Sequence, residues 1–213
     1  MKTLVGPALK YLVLFIVLYS VLTAISMVPK VGGFCNRMYR NPTQPILQAM
    51  LPKAYLQIKA EGEMNETLRI EFASKSLVEQ QLATAKRTGQ PMASITGLNN
   101  QVNFQNLFLS FFLFYLVLVM LSPISWGKKC WSLVLGTLLY YFYTVFKLYL
   151  VELIFFNEPT IAIYQTGETA LKLAKGARFF MNLGSNVLVV LVIWAALVLK
   201  KGNWGRVLDA KNI

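Results

Sequence analysis

The sequence predicts an α-helical integral membrane protein of four transmembrane helices, with a small external α/β insertion, a hairpin plus a helix, between the first and the second. Three observations predict it. The 213 residues are 56% hydrophobic and 14% charged, with mean hydropathy +0.52. The apolar residues come in long blocks, which is a membrane composition. Residues 29–103 form the long polar segment. Four spans of about 20 residues, each enough for a hydrocarbon layer of roughly 30 Å, use about 80 residues and leave that segment free to fold. The chain divides into an N-terminal transmembrane anchor (1–28), an external module (29–103) and a three-helix transmembrane region with a cytoplasmic tail (104–213).

The first span runs from Tyr11 to Val28 without a charge, behind Lys2 and Lys10. A basic start and an apolar core also fit a signal peptide. Its 18 residues are long for that role, and the stretch ends Met27-Val28-Pro29-Lys30 without a small-residue cleavage site. That favours an uncleaved anchor.

In the module, residues 29–52 hold Gly32, Gly33, Pro42, Pro45 and Pro52 and read as loop, with at most a short helix over 46–51. Residues 54–60 and 67–73 alternate apolar and polar, placing Leu56 and Ile58, then Leu68, Ile70 and Phe72, on apolar faces. With the turn formers Glu61-Gly-Glu-Met-Asn-Glu66 between them, they predict a β-hairpin with one apolar face. Ser76-Leu-Val-Glu79 fits a capping box opening a helix over 76–88, with Leu77, Val78, Leu82 and Ala85 turned inward and a stop near Gly89. A two-stranded hairpin is marginal alone in water, so its apolar face must be covered. The helix, the membrane surface or a partner protein can do so, which makes Leu56, Ile58, Leu68, Ile70 and Phe72 the candidate external interaction face.

The second and third spans, 104–121 and 130–156, form a transmembrane hairpin joined by Ser122-Pro-Ile-Ser-Trp-Gly-Lys-Lys129. Pro123 and Gly127 stop the helices, and Lys128 and Lys129 hold the link in the cytoplasm. The fourth span, 179–199, follows a basic amphipathic stretch, 160–178, that suits a helix lying at the interface. Tyr11, Trp126, Trp131 and Trp204 sit near span ends, as interfacial aromatics do. With both termini cytoplasmic, Lys2, Lys10, Lys128, Lys129, Lys200, Lys201, Arg206 and Lys211 lie inside. Outside lie Lys30, Arg37, Arg40, Lys172, Lys175 and Arg178, so the dilysine link and the uncharged approach over 89–105 tip the balance.

Twenty-one Lys and Arg against nine Asp and Glu give a net charge of +12. These charges flank apolar runs, where anionic lipid headgroups suit them at about 1 kcal/mol each. No nucleic-acid module accompanies them, so the bilayer and not nucleic acid is the expected partner. Cys35 and Cys130 fall on opposite sides of the membrane and do not pair. Absence of histidine removes the commonest general base and metal ligand. Phosphate-loop, dinucleotide, C-x-x-C and H-E-x-x-H patterns are absent too. No cofactor, no metal, no catalytic residue and no small-molecule substrate are therefore expected. Asn65-Glu66-Thr67 matches a glycosylation sequon, a common chance tripeptide.

Charges within spans raise a functional question by default. Lys147 lies about 27 Å along the helix from Lys129, within reach of the surface by snorkelling, and Glu152 is expected at the interface. Asn182, Ser185 and Asn186 fall at matching depth in the fourth span. Together with Lys147 they make a candidate intramembrane polar cluster, suited to helix association, to an anionic ligand or to a polar path. Ser132 and Gly136 offer a small-residue face for close helix packing.

The stretch Gln44-Pro-Ile-Leu-Gln-Ala-Met-Leu-Pro52, the alternation over 54–72 and the spans behind it resemble the small membrane proteins that accompany bacterial exosortases. Exosortases sort and cleave proteins at the outer face of the inner membrane. The catalytic member uses a membrane-embedded Cys, Arg and His, so the resemblance implies the accessory role for this histidine-free chain. The expected function is a non-catalytic accessory or scaffold subunit of a bacterial inner-membrane complex, binding a membrane protein partner. The alternative is a small transport or channel component with a polar site at Lys147, Asn182 and Asn186.

Overall fold

The computed structural model of the chain describes residues 2–62, 66–88, 98–182 and 184–199, with side chains from residue 9 onward. The elements run α1 (Lys2–Ser26), α2 (Pro29–Met50), β1 (Ala54–Glu61), β2 (Thr67–Ser74), α3 (Lys75–Thr88) and β3 (Leu98–Asn103). After a π-helical segment, Gln105–Leu109, come α4 (Ser110–Leu121), α5 (Trp126–Phe156), α6 (Glu168–Asn182) and α7 (Ser185–Val198). Two compact units form: Met1–Val28, Asn106–Thr144 and Gly184–Ile213 make the first, Pro29–Gln105 and Val145–Leu183 the second. Residues 145–183 thus group with the module and not with the other apolar helices. Asn65 of the sequon, Gly89, and the basic and aromatic residues from Lys200 onward lie outside the described residues.

Two helices are long and apolar enough to cross a membrane: Leu9–Ser26 within α1, and the 31-residue α5; α6 and α7 pass only when counted as one. The apolar helix Gln105–Leu121 is shorter, against about 20 residues for a full crossing. Among the described residues the candidates for a crossing are thus two, or three with the α6–α7 pair, and not clearly the four expected. The expected fourth span over 179–199 is divided, because α6 ends at Asn182 and α7 begins at Ser185. Gly184 between them sits at φ 73°, a left-handed conformation that glycine adopts without strain.

In the first unit α1 is largely exposed among the described residues, and Leu12, Val13, Ile16 and Val17 point outward. A helix apolar all round is at home in lipid or a large core. It meets α4 where Phe15 and Tyr19 set their rings against Phe114, at 5.3 and 6.3 Å between centroids. The core of this unit gathers Tyr115, Val119, Tyr140, Val190 and Val198 from α4, α5 and α7. Gly136 is what admits Tyr115: its hydroxyl donates to the Ser132 carbonyl at 2.6 Å, where a Cβ on residue 136 would overlap that hydroxyl and its ring. Lys129 donates to the Met120 carbonyl at 2.6 Å, so the link lysine satisfies one of the last carbonyls of α4, which have no partner within the helix.

In the second unit the hairpin is joined by a third strand. β2 lies between β1 and β3 in an antiparallel sheet, with Leu56 opposite Phe72 and Ile58 opposite Ile70. β3 has the sequence Leu-Asn-Asn-Gln-Val-Asn, too polar to alternate, and takes its strand conformation from pairing with β2. The stretch read as loop over 29–52 is instead the helix α2. Its buried positions are Gly32, Asn36, Tyr39, Thr43 and Leu47, helical in spacing but not apolar enough to register as a hydrophobic period. Pro42 and Pro45 both lie on its exposed face, where the carbonyls they leave without a donor meet no apolar core. α3 starts at Lys75, one residue before the expected capping serine, and the Ser76 hydroxyl bonds that of Ser74 at 2.8 Å. Only Val78 of its expected inward face is buried, while Leu77 and Leu82 are exposed.

Candidate functional site

The five residues of the candidate interaction face are covered by the chain itself. Leu56, Ile58, Leu68, Ile70 and Phe72 are all 4% exposed or less. Phe72 packs against Phe155 and Phe156 at the end of α5, at 5.4 and 4.7 Å between ring centroids. Phe156 in turn stacks on Tyr164. The Tyr164 hydroxyl accepts the Lys53 amide at 2.9 Å, and burial pushes that phenol up from its ordinary pKa.

The free edge of β1 is closed by two side chains that sequence reasoning missed. The Leu56 amide donates to Gln48 Oε1 at 2.9 Å, while Gln48 Nε2 donates to the Ala54 carbonyl at 2.6 Å. One turn earlier, Gln44 Oε1 accepts the Ile58 amide at 3.2 Å. One helical turn rises about 5.4 Å and two strand residues about 6.6 Å, so glutamines four apart on α2 match successive outward amides of β1. Edge amides and carbonyls otherwise invite another strand. Both glutamines fall in the stretch 44–52, and their i, i+4 spacing becomes meaningful once α2 is known to be a helix.

The opposite face of the sheet is polar and ordered. Lys59 meets Glu71 at 2.6 Å, and Arg69 bridges Glu71 at 3.4 Å and Glu61 at 3.3 Å. Gln101 of β3 donates to Glu61 at 2.9 Å. Cross-strand neighbours on one face of an antiparallel sheet lie within reach of such pairing.

Glu152, expected at a wet interface, is fully buried. α5 at 1.5 Å per residue is about 46 Å long, and its last turns pass under the sheet, so Glu152 faces β3 and not water. Asn100 Nδ2 donates to its Oε1 at 2.9 Å. Its Oε2 has no partner among the described residues, and Arg178 of α6 acts on it electrostatically. A buried acceptor without a donor costs about 1–3 kcal/mol, so the Asn100 contact is the bond that makes this placement tolerable.

The expected polar cluster is shared between the units. In the second unit Lys147 Nζ donates to the Met181 carbonyl at 2.9 Å, placing an ammonium at the C-terminal end of α6, the end that favours cations. Asn182 is the last residue of α6 and is exposed, so it does not stand one turn below Asn186 on a common helix. In the first unit Tyr143 bonds Ser185 at 2.7 Å and donates to Asn186 Oδ1 at 3.3 Å. Asn186 Nδ2 reaches the Asn106 carbonyl at 3.3 Å, and the Tyr140 hydroxyl reaches Leu107 at 3.0 Å. Both carbonyls belong to the π-helical segment, whose widened turn disrupts regular pairing, and such segments gather at functional sites. Tyr140, Tyr143 and Asn106 were not singled out from the sequence, because tyrosines in an apolar run carry no sign of a polar purpose.

Among the described residues no group of three or more His, Cys, Asp and Glu is placed to hold a metal ion. Comparison of the chain with family models, with curated proteins and with solved structures gave no match in any of the three.

Proposed function

We propose that this chain is a non-catalytic accessory subunit of a bacterial inner-membrane complex, of the exosortase type that sorts proteins at the outer face. Its apolar helices anchor it through four crossings, counting the short Gln105–Leu121 helix as one and the stretch 179–199, the end of α6 with α7, as another. Both termini are cytoplasmic and the sheet module is external. The observation that carries this reading is a sheet whose open face is charged. Its apolar face is buried, the β1 edge is filled by Gln44 and Gln48, and the outward face is a ladder of paired charges. The docking surface for a membrane protein partner is therefore Lys59, Glu61, Arg69, Glu71 and Gln101, and not the apolar residues.

The rival reading, a transport or channel component, draws on the buried Asn186 and its tyrosine neighbours. Lys147 supports it less, because its ammonium is engaged by an α6 carbonyl.

Extraction in mild detergent followed by mass spectrometry of the intact complex tests the proposal. The unaltered chain should travel with a larger membrane protein, and Arg69→Glu with Glu71→Arg should release that partner while the chain stays folded and inserted. A chain that migrates alone, or a partner indifferent to the charge reversal, contradicts it. Orientation is read from Cys35, which an impermeant thiol reagent should reach in intact cells. Burial pushes that thiol up from its ordinary pKa, so labelling should quicken as pH rises. Protection until the cells are opened contradicts an external module.

A further inference from the structure

We propose that the outward face of α6 is a binding site for anionic phospholipid, a role that stands whatever protein partner the module meets. The helix has two faces. One packs inside the second unit, where Ala174, Leu171, Ala177 and Met181 meet Leu150, Ile154 and Tyr149 of α5. The other is uncovered and apolar: Leu173 is 71% exposed, Phe179 61% and Phe180 71%. Leu173 and Phe180 are seven apart and fall on one stripe, with Gly176 between them, where an added Cβ would meet nothing. Exposed phenyl rings at this density need an environment other than water.

Charge identifies which one. Lys172 and Lys175 flank the stripe, both exposed, and Lys172 has only a surface pair with Glu168, whose side chains are 74% and 82% open. Such a pair is worth little and is readily exchanged for another anion. The third basic residue, Arg178, is half-buried, and its charge acts on Glu152. Large apolar side chains beside lysines on one helix face are the pattern of a helix lying in the headgroup layer. Each lysine near an anionic leaflet adds an attraction that a neutral leaflet or an apolar protein groove does not return. The phosphodiester headgroup meets the two ammonium groups while Leu173 and Phe180 enter the acyl boundary.

The full chain carrying Phe180→Trp, reconstituted in vesicles of phosphatidylcholine and phosphatidylglycerol in equal parts, tests this. Its added tryptophan emission, taken against the unsubstituted chain, should be quenched several-fold more by brominated phosphatidylglycerol than by brominated phosphatidylcholine. Lys172→Gln with Lys175→Gln should abolish the preference and leave quenching by both lipids. Equal quenching in the chain with both lysines overturns the anionic selectivity. Absence of quenching by either lipid overturns the site and shows the face covered by protein. A readout without the tryptophan is native mass spectrometry after mild extraction: the unsubstituted chain should retain phosphatidylglycerol over phosphatidylcholine, and equal retention counts against the site.

Discussion

α1 and the β-sheet are both rich in apolar residues and treat them in opposite ways. On α1, Leu12, Val13, Ile16 and Val17 are each more than half exposed. On the sheet, Leu68 and Ile70 are wholly enclosed and Phe72 nearly so. The same residue types thus serve two solvents: α1 needs a hydrocarbon environment supplied from outside, whereas the sheet makes its own from the end of α5. Polar groups differ in parallel. The second unit spends Gln44, Gln48 and Asn100 on closing its edges and its buried carboxylate, while the first spends Tyr115, Tyr140 and Asn186 on carbonyls of its helices. The sheet encloses its own apolar face and so presents a polar surface on the other side.

The widest separation between the two regions should come from truncating one large side chain in each. Phe72→Ala removes a ring enclosed by Phe155 and Phe156 and should destabilise the module by about 3–5 kcal/mol. Leu12→Ala in α1 should leave the midpoint of detergent unfolding nearly unchanged, because lipid or detergent fills the space. Equal losses in the two variants would erase the distinction.

Within the first unit, Gly136→Ala forces Tyr115 out of its place against the Ser132 carbonyl and should cost about 1–3 kcal/mol as an overpacking change. Thermal unfolding of the purified chain measures it, and Gly136→Ala with Tyr115→Phe should not recover the loss, since the ring itself also clashes. In the second unit, Asn100→Ala strips Glu152 of its donor and should cost about 1–3 kcal/mol. Replacing both partners, Asn100→Leu with Glu152→Leu, should return most of it, because the penalty is an orphaned polar group and not a lost contact. A double variant as unstable as Asn100→Ala would contradict that account.

How much of this was legible beforehand depended on whether burial was apolar. The hairpin was, since Leu56, Ile58, Leu68, Ile70 and Phe72 alternate cleanly. So were α1 and α5, each a long apolar run. α2 was hidden because its inward face is Gly32, Asn36, Tyr39, Thr43 and Leu47, and because Pro42 and Pro45 signal a break unless both are known to face outward. β3 was hidden because its strand character comes from β2. The burial of Glu152 was illegible in a different sense: a charge four residues from a helix end is placed by what packs on it, which only tertiary structure supplies. Lys147, Asn182, Ser185 and Asn186 were identifiable as polar residues in apolar surroundings, but the end of α6 at Asn182 and the start of α7 at Ser185 divide their partners.

The smallest effect is expected on the polar face of the sheet. Arg69→Ala removes partly exposed pairs with Glu61 and Glu71 and should cost about 0.2–1 kcal/mol, even though partner capture is expected to depend on it. Protease resistance unchanged beside a weakened complex is the predicted combination.

The account rests on two differently solvated apolar regions, and hydrophobic carbene photolabelling of intact membranes tests that most directly. A lipid-dissolved reagent should mark α1 heavily across Leu12, Val13, Ile16 and Val17, and leave the strand peptides bearing Leu68, Ile70 and Phe72 unmarked. Strand labelling equal to that of α1, or an α1 free of label, would contradict it.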